Sequence, residues 1–323
     1  MVGQRLIELL HSHPQFEIAF LGASQRSSGK KYYEAAQWRL PSYCPTPDMM
    51  VYDCSPSFYP QDVKLLFSAL DTEPAKKIER EAVESGRYVV SNASAYRMDA
   101  SVPLIIPEVN PEHINLLAGK PGIITNPNCC AIPLAISLAP FLDCGIEAVC
   151  VSTYQAVSGA GYPGESAWDM IGNVHPHAGN EEEKLAIEPQ KILGGMQSPL
   201  PFPISARCVR VPTADGHLLG VQVRLSQSIT PEEAKRRFEE YRPAYPALHS
   251  SPTPLFHIHE RRDRPAPRFD IMAGDGMAIS VGRIESCSVM TLKYFVLAHN
   301  TIRGAAGAAI ANAELLIAKE LLS

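Results

Sequence analysis

The segment Thr125-Asn126-Pro127-Asn128-Cys129-Cys130-Ala131-Ile132 reads as a short strand, a Pro-containing turn and a helix that starts at a cysteine. A helix N-terminus favours anions and lowers a thiol's pKa from about 8.5, which makes a nucleophilic thiolate available at neutral pH. The same position also suits two ordinary helix residues, one facing the core. A thiolate that attacks a carbonyl needs a proton-transfer partner. Among ten histidines, His217 stands out in Arg210-Val211-Pro212-Thr213-Ala214-Asp215-Gly216-His217, between two strand-like runs. Such a loop can hold a carboxylate through Arg210 and move protons through His217, or it can be a plain surface turn. Glu181 and Lys184, in Asn180-Glu181-Glu182-Glu183-Lys184, share a helix face at i, i+3 spacing, as a solvated helix start also would. Ser158-Gly159-Ala160-Gly161 is a small-residue loop that lets a ligand approach the backbone. His175-x-His177 and His257-x-His259 lack the Cys or carboxylate spacing of a metal site, so no metal is expected.

These residues need elements to hold them. The chain has 323 residues, enough for two domains with cores of their own, and its apolar fraction of 46% and charged fraction of 20% are those of an ordinary globular protein. A net charge of −5 gives no reason to expect nucleic acid or an anionic membrane as partner, and small anionic substrates remain open. No run reaches the roughly 20 apolar residues of a membrane span, and no signal-peptide layout is seen, so the expected address is the cytoplasm. Eight cysteines, at 44, 54, 129, 130, 144, 150, 208 and 287, form no C-x-x-C and no regular framework, so disulfides are not expected.

The first half alternates strands and helices. Val2 to His11 reads as an amphipathic helix, Phe16 to Leu21 as a strand, Val63 to Ala69 as a strand, Glu73 to Ser85 as a helix, Tyr88 to Val90 and Ile123-Ile124 as strands, and Cys130 to Leu142 as a helix. That is the texture of a parallel sheet covered by helices. In the second half, Ala148 to Ala156, Cys208 to Leu225, Met277 to Ile284 and Met290 to Leu297 read as strands. Glu181 to Leu193, Pro231 to Tyr241 and Thr301 to Leu322 read as helices. This predicts an α+β domain with a largely antiparallel sheet. A doubly wound nucleotide-binding domain opens with a strand and a Gly-rich turn. Here the first segment already reads as the helix that follows them, so that strand and most of the turn are expected to be missing.

Taken together, these segments resemble the aspartate-semialdehyde dehydrogenase family, in its archaeal and fungal branch. The matching stretches are Val2 to Arg5, Ser91 to Met98, Ile106 to Asn110, Asn126 to Cys129, Thr153 to Gly161, Asn180 to Lys184, Arg210 to His217 and Asn300 to Gly307. The resemblance implies a Rossmann-like NADP-binding domain over residues 1–127 and 301–323, lacking its first strand. It implies an α+β catalytic and dimerisation domain over 128–300. It also implies NADPH-dependent reduction of β-aspartyl phosphate to the semialdehyde through a Cys129 thioester, a step towards lysine, methionine and threonine.

His217 matches the family's acid/base, and Gln155 the residue that orients the acyl group. Arg210 matches the ligand of the substrate α-carboxylate, and Glu181 the partner of its amino group. Arg97, Asn92 and Lys184 match the phosphate site. Ser24, Arg26 and Ser27 match the holder of the NADP 2′-phosphate. Ser68, Ser158, Gly159 and Asn300 match further cofactor-facing positions. A homodimer or homotetramer is implied. Cys130 stands where a hydroxyl residue is commoner, and Thr213 where an aliphatic one is. Two other readings are kept: a non-catalytic dimerising paralogue, and the sister family acting on N-acetylglutamyl phosphate, whose cysteine motif carries Gly at the position of Asn128.

Overall fold

A computed structural model describes every residue except Gln197, Pro246 and Ser323. Helix α1 (Val2–His11) buries Gln4, Leu6, Ile7 and Leu10 on one face, as its apolar spacing dictates. Strands β1 (Leu21–Ala23) and β2 (Val51–Asp53) pair in parallel. Strands β3 (Leu65–Ser68), β4 (Tyr88–Ser91) and β5 (Ile123–Thr125) form a second parallel group in the order β3-β4-β5, with α2 (Thr72–Glu84) crossing from β3 to β4. Among the described residues, no strand joins β1 to β3. Between them lies a cleft of about 1190 Å³, walled by α1, residues 15–24 and residues 62–70. The strand expected over Phe16 to Leu21 is therefore paired only at Leu21–Ala23, because its one neighbour, β2, reaches no further.

After β5, helix α3 (Ala131–Leu138) is buried at all eight positions. It does not run on to Leu142. At Pro140, which has no N–H to continue the ladder, the chain tightens into a 3₁₀ turn over Ala139–Cys144. Strand β6 (Ile146–Gln155), α4 (Glu181–Leu193), β7 (Ile204–Arg210), β8 (His217–Leu225), α5 (Pro231–Glu240), β9 (Phe256–His259), β10 (Ile279–Ser286) and β11 (Leu292–Ala298) build a six-stranded sheet in the order β7-β6-β8-β11-β10-β9. Its inner ladders are antiparallel and its two outer pairs parallel. The run over Cys208 to Leu225 is thus two strands, split by the Arg210 to His217 loop.

The last helix also departs from the expected span. It opens with a wide turn, Ile302–Ala306, in which Gly304 N–H reaches His299 C=O at 2.9 Å, and continues as α6 (Gly307–Ala318). Helix α6 returns to the first half, where Ile310, Leu315 and Leu316 share a core with Leu6, Leu10, Val90 and Ile124. No helix among the described residues is long and apolar enough to cross a membrane.

Candidate active site

Cys129 sits half-buried in the turn between β5 and α3. Its Sγ, the Sγ of Cys130 and a ring nitrogen of His217 all lie within 4.8 Å of one another. His217 opens β8, at the far end of the long loop, and is fully buried. A hydrogen bond from the Cys130 thiol, then the His217 ring, hold the Cys129 thiol well below its ordinary value, against the upward push of burial. Burial drives the Cys130 thiol the other way. The helix start contributes less directly than its position suggests. Its first free N–H groups, of Cys130 and Ala131, donate to Asn128 Oδ1 at 2.9 and 3.3 Å, so the thiolate's close donors are side chains.

Asn128 is the hub of the turn, a role the sequence reading did not assign. Its Nδ2 donates to Glu181 Oε2 at 2.7 Å, and its backbone N–H to Glu188 Oε2 at 2.6 Å. Glu181 also accepts from Lys184 at 2.7 Å. Burial alone would raise the Glu181 carboxyl, but Lys184 and Asn128 together bring it below its ordinary value. The same face of α4 continues to Glu188, which accepts from Arg97 Nη1 at 3.0 Å, and to Lys191, which donates to the carbonyls of Arg97, Asp99 and Val102. Glu188 and Lys191 were missed by sequence reading. Helical spacing from Glu181 and Lys184 was the signal for both.

Arg97 further donates to the Asn92 carbonyl at 2.7 Å. Asn92 accepts from Asn126 at 3.0 Å and donates to the Ser68 carbonyl at 3.3 Å, linking β3, β4 and the cysteine turn. Arg210 ends β7 and lies beside the end of β6. Its Nη1 donates to Gln155 Oε1 and to the Ala156 carbonyl, both at 3.1 Å. The Nε atoms of Arg97 and Arg210 are buried without a hydrogen-bond partner among the described residues, leaving one donor on each for an anion.

Asn300 joins two loops, accepting from the Gly216 N–H at 2.8 Å and donating to Ser158 at 2.8 Å. Gly159 is required by space: a Cβ there would stand 2.9 Å from both Arg210 Nη1 and His217 Nε2. Gly304 is required in the same way: a Cβ there would stand 2.8 Å from the Cys129 Cβ and 3.1 Å from its Cα. The wide turn before α6 brings Gly304 there.

The expected cofactor residues divide. Ser24, Ser27 and Ser68 line the cleft, and Ser68 is buried. Arg26 is exposed and does not line it. Ser158, Gly159 and Asn300 stand on the Cys129 side instead.

Two family models match, "Semialdehyde dehydrogenase, NAD binding domain" over residues 1–117 and "Semialdehyde dehydrogenase, dimerisation domain" over 138–303. The chain is 44% identical over 335 residues to an aspartate-semialdehyde dehydrogenase of Archaeoglobus fulgidus, covering 100% of this chain and 96% of that one. The structure of aspartate semialdehyde dehydrogenase with NADP from Candida albicans is similar at a TM-score of 0.93 and 40% identity, covering 99% of this chain and 97% of that one. Aspartate semialdehyde dehydrogenase II complexed with ASA from Vibrio cholerae is similar at 0.78 and 28%, covering 98% and 95%.

Proposed function

Because the chain belongs to the semialdehyde dehydrogenase family, we propose that it reduces β-aspartyl phosphate to aspartate β-semialdehyde and phosphate through a thioester on Cys129. The observation that carries this reading is the cluster of Cys129, Cys130 and His217, flanked by two anchored arginines with free donors. Cys129 attacks the acyl carbon and expels phosphate. Arg210 clamps the substrate carboxylate, Glu181 receives its amino group, and Gln155, tied to Arg210, steadies the acyl arm. Arg97, braced by Glu188, together with Asn92 and Lys184, holds the phosphate.

NADPH, when bound, supplies the hydride that reduces the thioester. Ser24, Ser27 and Ser68 would hold its nucleotide end, since the cleft they line, about 1190 Å³, has room for it. Ser158, Gly159 and Asn300 would border its reactive end. Arg26 reaches it only by leaving solvent.

We read the cleft between β1 and β3 as the place where a doubly wound sheet carries its first strand and Gly-rich turn. Affiliation to the archaeal and fungal branch is supported by 44% identity to the Archaeoglobus enzyme and 42% to the Candida one. The chain acts as a homodimer or homotetramer through the bare sheet face bearing Ser152, Tyr154, Gln222 and Lys293, all exposed. Residues 1–127 with 301–323 form the cofactor domain, and 128–300 the catalytic and dimerisation domain.

The test is phosphate-dependent reduction of NADP by aspartate semialdehyde, with and without Cys129→Ala. Turnover that persists in Cys129→Ala would overturn the thioester. The second reading is a cofactor-impaired dimerising partner. Absence of NADPH binding in a titration would select it.

A further inference from the structure

Two of the matched stretches carry charges that the site does not use. Glu108 lies in Ile106 to Asn110 and Arg303 in Asn300 to Gly307. Arg303 Nη1 donates to Glu108 Oε1 at 2.6 Å, with both side chains fully buried. Arg303 Nε and Nη2 and Glu108 Oε2 have no hydrogen-bond partner among the described residues. A buried ion pair with uncompensated polar atoms is a poor source of stability, and an apolar pair of similar volume is often as stable or more so. What this pair does supply is a fixed distance between two segments.

Glu108 is the anchored end. Ile105 N–H donates to the Thr125 carbonyl at 3.2 Å, along the flank of β5. The Asn110 side chain accepts from the Ile106 N–H at 2.8 Å and donates to the Leu104 carbonyl at 2.9 Å. The Glu108 carbonyl accepts from the Tyr241 hydroxyl at 3.0 Å and the Ala244 N–H at 2.9 Å. Arg303 is the other end. It sits inside the wide turn, one residue before Gly304, which backs onto Cys129 so closely that a Cβ has no room. Asn126 Nδ2 ties the same turn to the cysteine segment through the Ala305 carbonyl at 2.9 Å. A wide turn holds one residue more than an ordinary helical turn. Were that residue drawn out, everything before it would rotate against α6 by one position, about 100°. Arg303 would leave Glu108 and Gly304 would leave Cys129 together.

We propose that the Glu108–Arg303 pair is a positioning device for Cys129. It locks the register of the wide turn, so that Gly304 keeps the Cys129 backbone in place and the thiol within reach of Cys130 and His217. Both residues act through Gly304. The proposal rests on Cys129 being the nucleophile of the reading above.

The test separates position from stability. In the double variant Glu108→Leu/Arg303→Met the apolar pair is expected to keep the fold, with a urea midpoint no lower than that of wild type. Iodoacetamide alkylation of Cys129 at neutral pH, followed on its own peptide by mass spectrometry, is expected to be about tenfold slower than in wild type, with its profile moved to higher pH. Arg303→Lys keeps the charge and the reach, and is expected to recover the rate. A stable double variant with the wild-type rate and profile overturns the proposal. So does an Arg303→Lys protein as slow as the double variant. If the double variant does not fold, Arg303→Gln takes its place, because its side chain is too short to reach Glu108. A folded Arg303→Gln protein that alkylates as wild type overturns the proposal equally.

In turnover of aspartate semialdehyde with NADP and phosphate, the folded variant is expected to lose kcat and keep KM, and the opposite split counts against positioning. If the substrate class is wrong, wild type itself gives no turnover, while the order of alkylation rates stands.

Discussion

Glu188 spans two parts of the site, holding Arg97 with one carboxylate oxygen at 3.0 Å and the Asn128 N–H with the other at 2.6 Å. Arg97 is 7% exposed and Glu188 1%. Glu188→Ala would leave a buried guanidinium without its anion, at a cost of about 3–5 kcal/mol. Glu188→Gln keeps an acceptor and costs less. Urea unfolding of both variants checks this, and an unchanged midpoint in the Ala variant counts against the bridge.

The same burial sets a pH dependence. Glu188 and Glu79 are both pushed above their ordinary 4.5 by burial, against their hydrogen-bond partners. The folded chain keeps those protons where the unfolded chain has lost them. The contribution of these groups to stability is therefore full below 4.5 and falls as pH rises through the raised values. Glu188→Gln should flatten that part of the stability–pH curve, and an unaltered slope would remove Glu188 as its source.

Cys130 is expected to tune Cys129. Its thiol is the foremost influence lowering the Cys129 value. Cys130→Ala should slow neutral-pH alkylation of Cys129 by about tenfold, while Cys130→Ser retains a donor and loses less. Equal rates in all three proteins would make the His217 ring, and not Cys130, the source of the activation.

Gly159→Ala separates geometry from stability. The added methyl would meet only side-chain ends, at 2.9 Å from Arg210 and His217, so the fold should survive. Displacing both groups should lower kcat/KM by about 10²-fold. Gly304→Ala is the harsher change, because it strikes the Cys129 backbone at 3.1 Å. It should lower the thermal midpoint as well as the rate. A Gly304→Ala protein as stable as wild type would show that the wide turn yields.

Much of the site was legible because chemistry-bearing residues cluster at the ends of strands. Cys129 after β5, Gln155 at the end of β6, Arg210 at the end of β7 and His217 at the start of β8 are all brought together as their motifs imply. Helix α4 was read to its bounds, Glu181–Leu193. Its inward face was read only for one turn, so Glu188 and Lys191 went unseen. Asn128 was read as part of a turn. Its three-way bonding needs Glu181 and Glu188, which are 53 and 60 residues away, and no local pattern announces such partners. The wide turn at Ile302–Ala306 was invisible because Ala305 and Ala306 suit an ordinary helical turn equally well, and only the close approach of Gly304 to Cys129 marks it. Arg26 was placed by the resemblance, and its side chain is exposed.

The cleft between β1 and β3 has a consequence for how the molecule behaves in company. Among the described residues β1 pairs only with β2, and β3 only with β4, so each has a side with no described strand alongside. Edges of this kind are templates for another chain's backbone. The apolar walls, among them Leu6, Ile7, Phe16, Phe20 and Phe67, reward any extended apolar segment that enters. A strand seated in the gap would pair with both edges at once and cover those walls, so what fills this cleft decides whether the two parallel groups act as one sheet.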